Sequence, residues 1–300
     1  SIYSERKKLG EQLTGRVLEE IDHDLENTVF SYIPKTAESA FYGLVKGLED
    51  YLRDHKIKII RQRGDEMTDR ELEELLESRP RIEKLAVKDA KLRTFITEDK
   101  SRDDLVGHVY DVTYGVIRRG VDSMVVLDDS IVRGTTLKKS IVNILDRLDP
   151  KKIVIVSSSP QIRYPDCYGI DMAKMGDFIA FRAAIELLQE RGMKERTNEV
   201  YKEAKKKKKK PLEEISNVVK GIYEPFTADE ISSQIASMLK LPTIKAELAI
   251  IYQSIEGLHT ACPGHLGDWY FTGNYPTPGG NKVVNRSFIN YIEKKDARAY

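Results

Sequence analysis

The sequence is short of several things that would place a protein in a class at once. It has two cysteines in 300 residues, Cys167 and Cys262, too few for a disulfide framework. A disulfide-stapled secreted scaffold is therefore excluded, and a reducing cytoplasm is the expected location. No run of about 20 apolar residues is present, so no transmembrane helix is expected, and no secretory leader is visible. Charge of one sign is also missing. Lys and Arg number 49 against 48 Asp and Glu, a net charge of +1, which excludes a strongly basic nucleic-acid module and makes any phosphate recognition local. Neither nucleic acid nor a membrane is an expected partner. No internal repeat is evident, and the sequence opens at Ser1 without an initiator Met, as a processed or cut chain would.

What is present is a globular pattern with 40% apolar residues, enough for a sizeable core. Residues 28–33 read as a strand by their β-branched and aromatic content, ended by Pro34. Ala37, Ala40, Phe41, Leu44, Val45, Leu48 and Leu52 recur at three- and four-residue spacing, one apolar helix face. Residues 56–60 read as a second short strand, and Thr68 with Glu71 has the pattern of a capping box before an acidic helix. Residues 123–127 form an apolar strand. A helix with Leu137, Ile141, Ile144, Leu145 and Leu148 on one face follows, and then another apolar strand at residues 153–156. Strand, helix, strand in that order is the βαβ signature of a parallel sheet.

The lysines at 205–210 read as a self-repelling, solvated or disordered connection. Beyond them, Thr227 with Glu230 can cap a helix running through Ile235 and Leu239. The Gly-, Pro- and Tyr-rich residues 263–282 read as an ordered loop, because Trp269, Tyr270, Phe271 and Tyr275 would otherwise face water. The expected division is an amino-terminal segment at residues 1–27 packing on the core, a core at 28–200, a lysine-rich linker or insertion at 201–215, and a carboxy-terminal helical and loop segment at 216–300 completing the domain.

Chemistry concentrates in Asp128-Asp129-Ser130-Ile131-Val132-Arg133-Gly134-Thr135-Thr136. Two carboxylates stand at the carboxyl end of a buried strand, the edge where open α/β sheets bind ligands. A small-residue loop then opens a helix, whose amino-terminal N–H groups and positive dipole end suit a phosphate monoester. Gly134 lets the backbone approach closely, and the Thr135 and Thr136 hydroxyls add donors. The adjacent carboxylates suit ribose hydroxyls and a hydrated Mg²⁺ held mainly through water. No Gly-Lys-Ser/Thr triplet is present, so this is not a Walker loop. An acidic pair after a strand can also simply cap the next helix.

The segment resembles the motif by which type I phosphoribosyltransferases bind 5-phosphoribosyl-1-pyrophosphate (PRPP). Together with Arg163 to Asp171, Arg93 to Ile96 and Phe271 to Thr277, it is similar to the glutamine PRPP amidotransferases, in the right order along most of the chain. The resemblance implies an α/β fold with an open parallel sheet flanked by helices, a flexible lid loop and a carboxy-terminal appendage. It implies that ammonia displaces pyrophosphate from PRPP to give 5-phosphoribosylamine, the opening step of purine biosynthesis. In that family a separate amino-terminal glutaminase domain supplies the ammonia. Purine nucleotides as inhibitors and a homo-oligomer are implied as well.

By motif position Ser130 to Thr136 would hold the 5-phosphate, and Asp128 and Asp129 the ribose hydroxyls and Mg²⁺. Lys35, Thr36, Lys88, Lys91 and Arg93 are the candidates for pyrophosphate. Lys88 and Lys91 compete for one role, because the spacing to Arg93 is a residue short, and either can be an ordinary exposed charge. Residues 97–120, bounded by Gly107, Gly115 and Gly120, are the candidate lid or an ordinary exposed helix-turn.

The chain also departs from the family. Ala37 stands where many relatives have a serine that meets pyrophosphate or metal; Thr36 or Ser39 could substitute. A subclass carries an iron-sulfur cluster, which needs four thiolates, but Asp166, Gly267 and Tyr270 occupy ligand slots here, so no cluster is expected. Cys262 and His265 lack a second ligand pair. Two other functions remain in competition: a PRPP- or nucleotide-sensing module that lost its chemistry, which Ala37 favours, and a purine-base phosphoribosyltransferase, which the tail at 271–277 disfavours.

Overall fold

A computed structural model describes residues 1–34, 36–84, 87–88, 110–111, 115–166, 172–265, 267–297 and 299. The chain divides into two compact units, one of residues 1–129, 139–158 and 242–253, the other of residues 130–138, 159–241 and 254–300.

The first unit is built on a five-stranded sheet. Its strands are β1 (Thr28–Tyr32), β2 (Arg81–Ile82), β5 (Ser123–Asp128), β6 (Lys152–Ser157) and β7 (Glu247–Tyr252), in the order β2-β1-β5-β6-β7. Every pairing is parallel. Parallel strands covered on both faces read as continuous apolar runs, and β5 and β6 are such runs. A separate antiparallel pair joins β3 (Val87–Lys88) to β4 (Tyr110–Asp111).

Helices α1 (Ile2–Gln12), α2 (Thr14–Glu20) and α3 (Glu38–Arg63) cover one sheet face, where Leu13, Val17, Phe41 and Leu44 pack with Phe30, Val125, Leu127, Val154, Val156 and Ile251. The α1–α3 crossing depends on glycine. A Cβ on Gly10 would lie 1.7 Å from the Ala40 carbonyl oxygen, so the backbones meet where no side chain fits.

Residues 56–60 are not the expected second strand but the last part of α3. The alternating isoleucines mimic a strand, yet no Pro or Gly breaks the helix between Gly47 and Gly64. Lys46 to Asp50 and Arg53 to Asp50 ion pairs support it at helical spacing. The capping box of Thr68 and Glu71 does open α4 (Asp69–Glu77).

After β5 the first helical turns are a π-helix, Leu137–Ile141, which continues as α5 (Val142–Asp146) with Leu137, Ile141, Leu145 and Leu148 buried. Ile144 is half-buried.

The second unit is helical: α6 (Ile179–Glu190), α7 (Lys194–Lys207), α8 (Lys220–Tyr223), α9 (Ala228–Leu239), α10 (Ile255–Ala261), α11 (Trp269–Thr272) and α12 (Pro278–Ile292). Thr227 and Glu230 form the capping box of α9. Of the lysine run, expected as a solvated or disordered connection, Lys206 and Lys208 to Lys210 are exposed to solvent. Lys205, Lys206 and Lys207 make the last turn of α7, where cations offset the negative dipole end, and Lys205 pairs with Glu293. Residues 263–282 are only partly loop, because α11 and the start of α12 fall within them. Tyr275 is buried there, and Trp269, Tyr270 and Phe271 are half-buried. No helix among the described residues is long and apolar enough to cross a membrane.

Candidate functional site

The acidic pair lies where the sequence puts it, at the carboxyl end of β5 in the middle of the sheet. Asp128 is the last residue of the strand and pairs in register with Ser157 of β6. The turn beyond is held by short bonds. The Asp129 N–H donates to Asp128 Oδ1 at 2.8 Å, the Ser158 N–H to the Asp128 carbonyl at 2.9 Å, and the Ser158 hydroxyl to the Asp129 carbonyl at 3.2 Å. Burial pushes the Asp128 carboxyl well above the ordinary carboxylate range, and neighbouring Asp129 adds to the effect. A cation at this pair would favour the ionised form of both carboxylates.

Beside it, β1 ends at Tyr32, with Ile33 N–H donating to the Leu127 carbonyl at 2.8 Å, so the loop after Pro34 leaves from the same sheet edge. Thr36 is exposed on that loop, Ser39 half-buried, and Ala37 1% exposed, leaving a methyl group where a serine would offer oxygen. Lys35, Lys91, Arg93 and the candidate lid at 97–109 and 112–114 lie outside the described residues. Lys88 is placed by its backbone in β3 alone.

Residues 130–136 continue the segment within the second unit. Ile131 and Gly134 are buried, while Arg133, Thr135 and Thr136 are exposed. Three successive carbonyls are tied back into that unit: Val132 accepts from the Ile179 N–H at 2.8 Å, Arg133 from Arg182 Nη2 at 2.7 Å, and Gly134 from the Lys138 N–H at 2.9 Å. Arg133 also pairs with Asp177 at 3.1 Å. Gly134 has φ +70°, the left-handed region that glycine tolerates. The loop is thus fixed by its carbonyl side, and its sequence alone gave no sign of Asp177, Ile179 or Arg182. Ser157 and Ser158 were also missed, although small polar residues just past a buried apolar run are a usable signal.

Two neighbouring carboxylates meet the modest demand of Mg²⁺, which keeps several waters and takes one or two protein carboxylates along with substrate phosphates. No cluster of three or more potential metal-ligating side chains occurs among the described residues, so Asp128 and Asp129 fit a hydrated ion and not a protein cage.

The first unit defines an α/β class of protein, a five-stranded all-parallel sheet flanked by helices with an acidic pair at its carboxyl edge. Comparison with known proteins narrows the likeness. The chain is 29% identical over 187 residues to the amidophosphoribosyltransferase of Pseudomonas aeruginosa, covering 62% of this chain and 31% of that one. It is 31% identical over 142 residues to that of Lachancea kluyveri, covering 44% and 28%, and 41% identical over 68 residues to that of Haemophilus influenzae, covering 23% and 13%.

Two solved structures cover 92% of the chain at a TM-score of 0.50 and 21% identity: an allosteric regulatory enzyme of purine biosynthesis, and the glutamine PRPP amidotransferase of B. subtilis complexed with ADP and GMP. They establish the fold. The chain spans less than half of either solved chain and at most about a third of those curated relatives. No protein-family profile matches it. The family likeness expected from the sequence motifs is met.

Proposed function

We propose that the chain carries the phosphoribosyl-transfer site of an amidophosphoribosyltransferase, joining ammonia to the anomeric carbon of PRPP with loss of pyrophosphate. The observation that carries this reading is the segment from Asp128 to Thr136: a carboxylate pair ending the central strand, then a loop whose carbonyls are held on the protein side. Such a loop offers its N–H groups and the Thr135 and Thr136 hydroxyls to the 5-phosphate. Asp128 and Asp129 accept hydrogen bonds from the ribose hydroxyls and hold a hydrated Mg²⁺. Bound there, the ion would neutralise charge on the departing pyrophosphate.

As the bond to pyrophosphate breaks, the anomeric carbon takes on oxocarbenium character, so positioning and charge matter more than a strong base. Lys35, Thr36, Lys88, Lys91 and Arg93 are the proposed sources of pyrophosphate contacts. Ammonia enters as the nucleophile; in the full-length enzyme a glutaminase domain would supply it. Purine nucleotides are the proposed inhibitors, a homo-oligomer the proposed assembly and the cytoplasm the proposed location.

Ala37 favours a second reading, a PRPP-sensing module of little activity. One assay separates them. PRPP-dependent pyrophosphate release, measured with ammonia or a purine base as acceptor, should respond to ammonia alone. PRPP binding without release would favour the sensing module, and release with a purine base would favour a salvage enzyme.

A further inference from the structure

On the sheet face turned away from α1 and α3, side chains in register form three rows across β5, β6 and β7. Met124, Ile153 and Leu248 make the first, Val126, Ile155 and Ile250 the second, and Asp128, Ser157 and Tyr252 the third. Two apolar rows end in a polar one at the carboxyl edge. The backbone of Tyr252 is pinned: Arg16 Nη1 donates to its carbonyl at 3.0 Å, and the following Gln253 donates through its N–H to the Ser157 carbonyl at 3.1 Å and through Nε2 to the Leu9 carbonyl at 2.7 Å.

The side chain is different. Tyr252 is 3% exposed, and its hydroxyl is buried with no hydrogen-bond partner among the described residues. An apolar phenylalanine would fill the same space without leaving a polar group unmet, and a buried hydroxyl without a partner is costly. The backbone of Tyr252 stands two strands, about 10 Å along the sheet, from that of Asp128, and the Asp128 charge reaches the phenol. Burial and that charge together keep the phenol protonated, so it is a donor throughout the physiological range.

We propose that Tyr252 is a ligand-binding residue whose hydroxyl is left unpaired in the free fold and donates a hydrogen bond to bound Mg–PRPP, to an oxygen of the ligand or to a water the ligand brings. This rests on the PRPP reading above and adds to it a residue outside the acidic pair and the loop. The cost of the unpaired group in the free protein is returned when the site fills, which favours the liganded state.

The test is Tyr252→Phe, with PRPP and Mg²⁺ titrated into wild type and variant and both melted without ligand. Because no bond is lost in the free fold, the variant should melt at the same temperature or higher, while PRPP affinity falls roughly 5- to 50-fold. Equal PRPP affinity in the two proteins overturns the inference and leaves the function standing. A lower melting temperature overturns it too, since the hydroxyl would then have a structural partner. Absence of PRPP binding by wild type removes the functional reading and the inference together.

Discussion

Gly134 and Ile179 approach so closely that a Cβ added to the glycine would lie 2.5 Å from Ile179 Cδ1, and 3.0 Å from Leu239 Cδ2 as well. Two constraints coincide at Gly134, a left-handed backbone and a packed neighbour. Gly134→Ala should therefore cost about 1 to 3 kcal/mol of stability, from strain and overpacking together. It should also displace the loop that carries Thr135 and Thr136, weakening PRPP binding beyond what the stability loss explains. Denaturant melts and PRPP titrations of the purified variant check both; a variant as stable as wild type would contradict the packing argument.

Asp122 predicts an acid limit. Its side chain is fully buried, and burial alone would raise its carboxyl. Hydrogen bonds from Arg81 at 2.8 Å, from Arg118 Nε at 3.0 Å and from the Arg118 N–H at 2.7 Å outweigh that and hold it at about 2. A folded value below the unfolded one of 3.8 gives stability that is present above pH 4 and lost as pH falls toward 2. The loss should be about 2 kcal/mol. Unfolding free energy measured across that window in wild type and Asp122→Asn should show the slope in the first and a flatter line in the second. Parallel curves would refute the assignment.

Only two cysteines occur in the sequence, and Gly267 and Tyr270 cannot replace thiolates, so the purified protein should be colourless and free of iron. Stoichiometric iron and sulfide with visible absorption would show otherwise.

The parts of this fold that a sequence can show are those written in consecutive residues. The strand at residues 28–32 is β-branched and aromatic, those at 123–128 and 152–157 are built on apolar runs, and the acidic pair with its glycine loop is one uninterrupted segment. The isoleucines at 57, 59 and 60 misled, because alternation over five residues cannot be told from the flank of a 26-residue helix. Strand β7 is not legible in the sequence: Leu248 to Ile251 is apolar, but nothing nearby marks it as the partner of β6. In the lysine run, repulsion among like charges is offset at Lys205 by a helix end and by Glu293. Gly134 with Ile179, Arg133 with Arg182 and Asp122 with Arg81 are contacts between residues distant in the chain, and no local pattern announces them.

The central claim, that the segment from Asp128 to Thr136 is a PRPP site, is tested most directly by titrating PRPP with Mg²⁺ into wild type, Asp128→Asn and Asp129→Asn while recording melting temperatures. Each carboxylate is assigned charge-assisted or strong hydrogen bonds to the ligand, so each change should cost on the order of 10- to 100-fold in affinity. Burial raises the Asp128 carboxyl in the folded protein, so its ionised form burdens the fold at neutral pH, and Asp128→Asn should melt no lower than wild type. Weaker PRPP binding with undiminished stability is the predicted result. PRPP affinity unchanged in both variants, with at most a small loss of stability, would mean that the pair only caps the following helix, and would contradict the site and the function built on it.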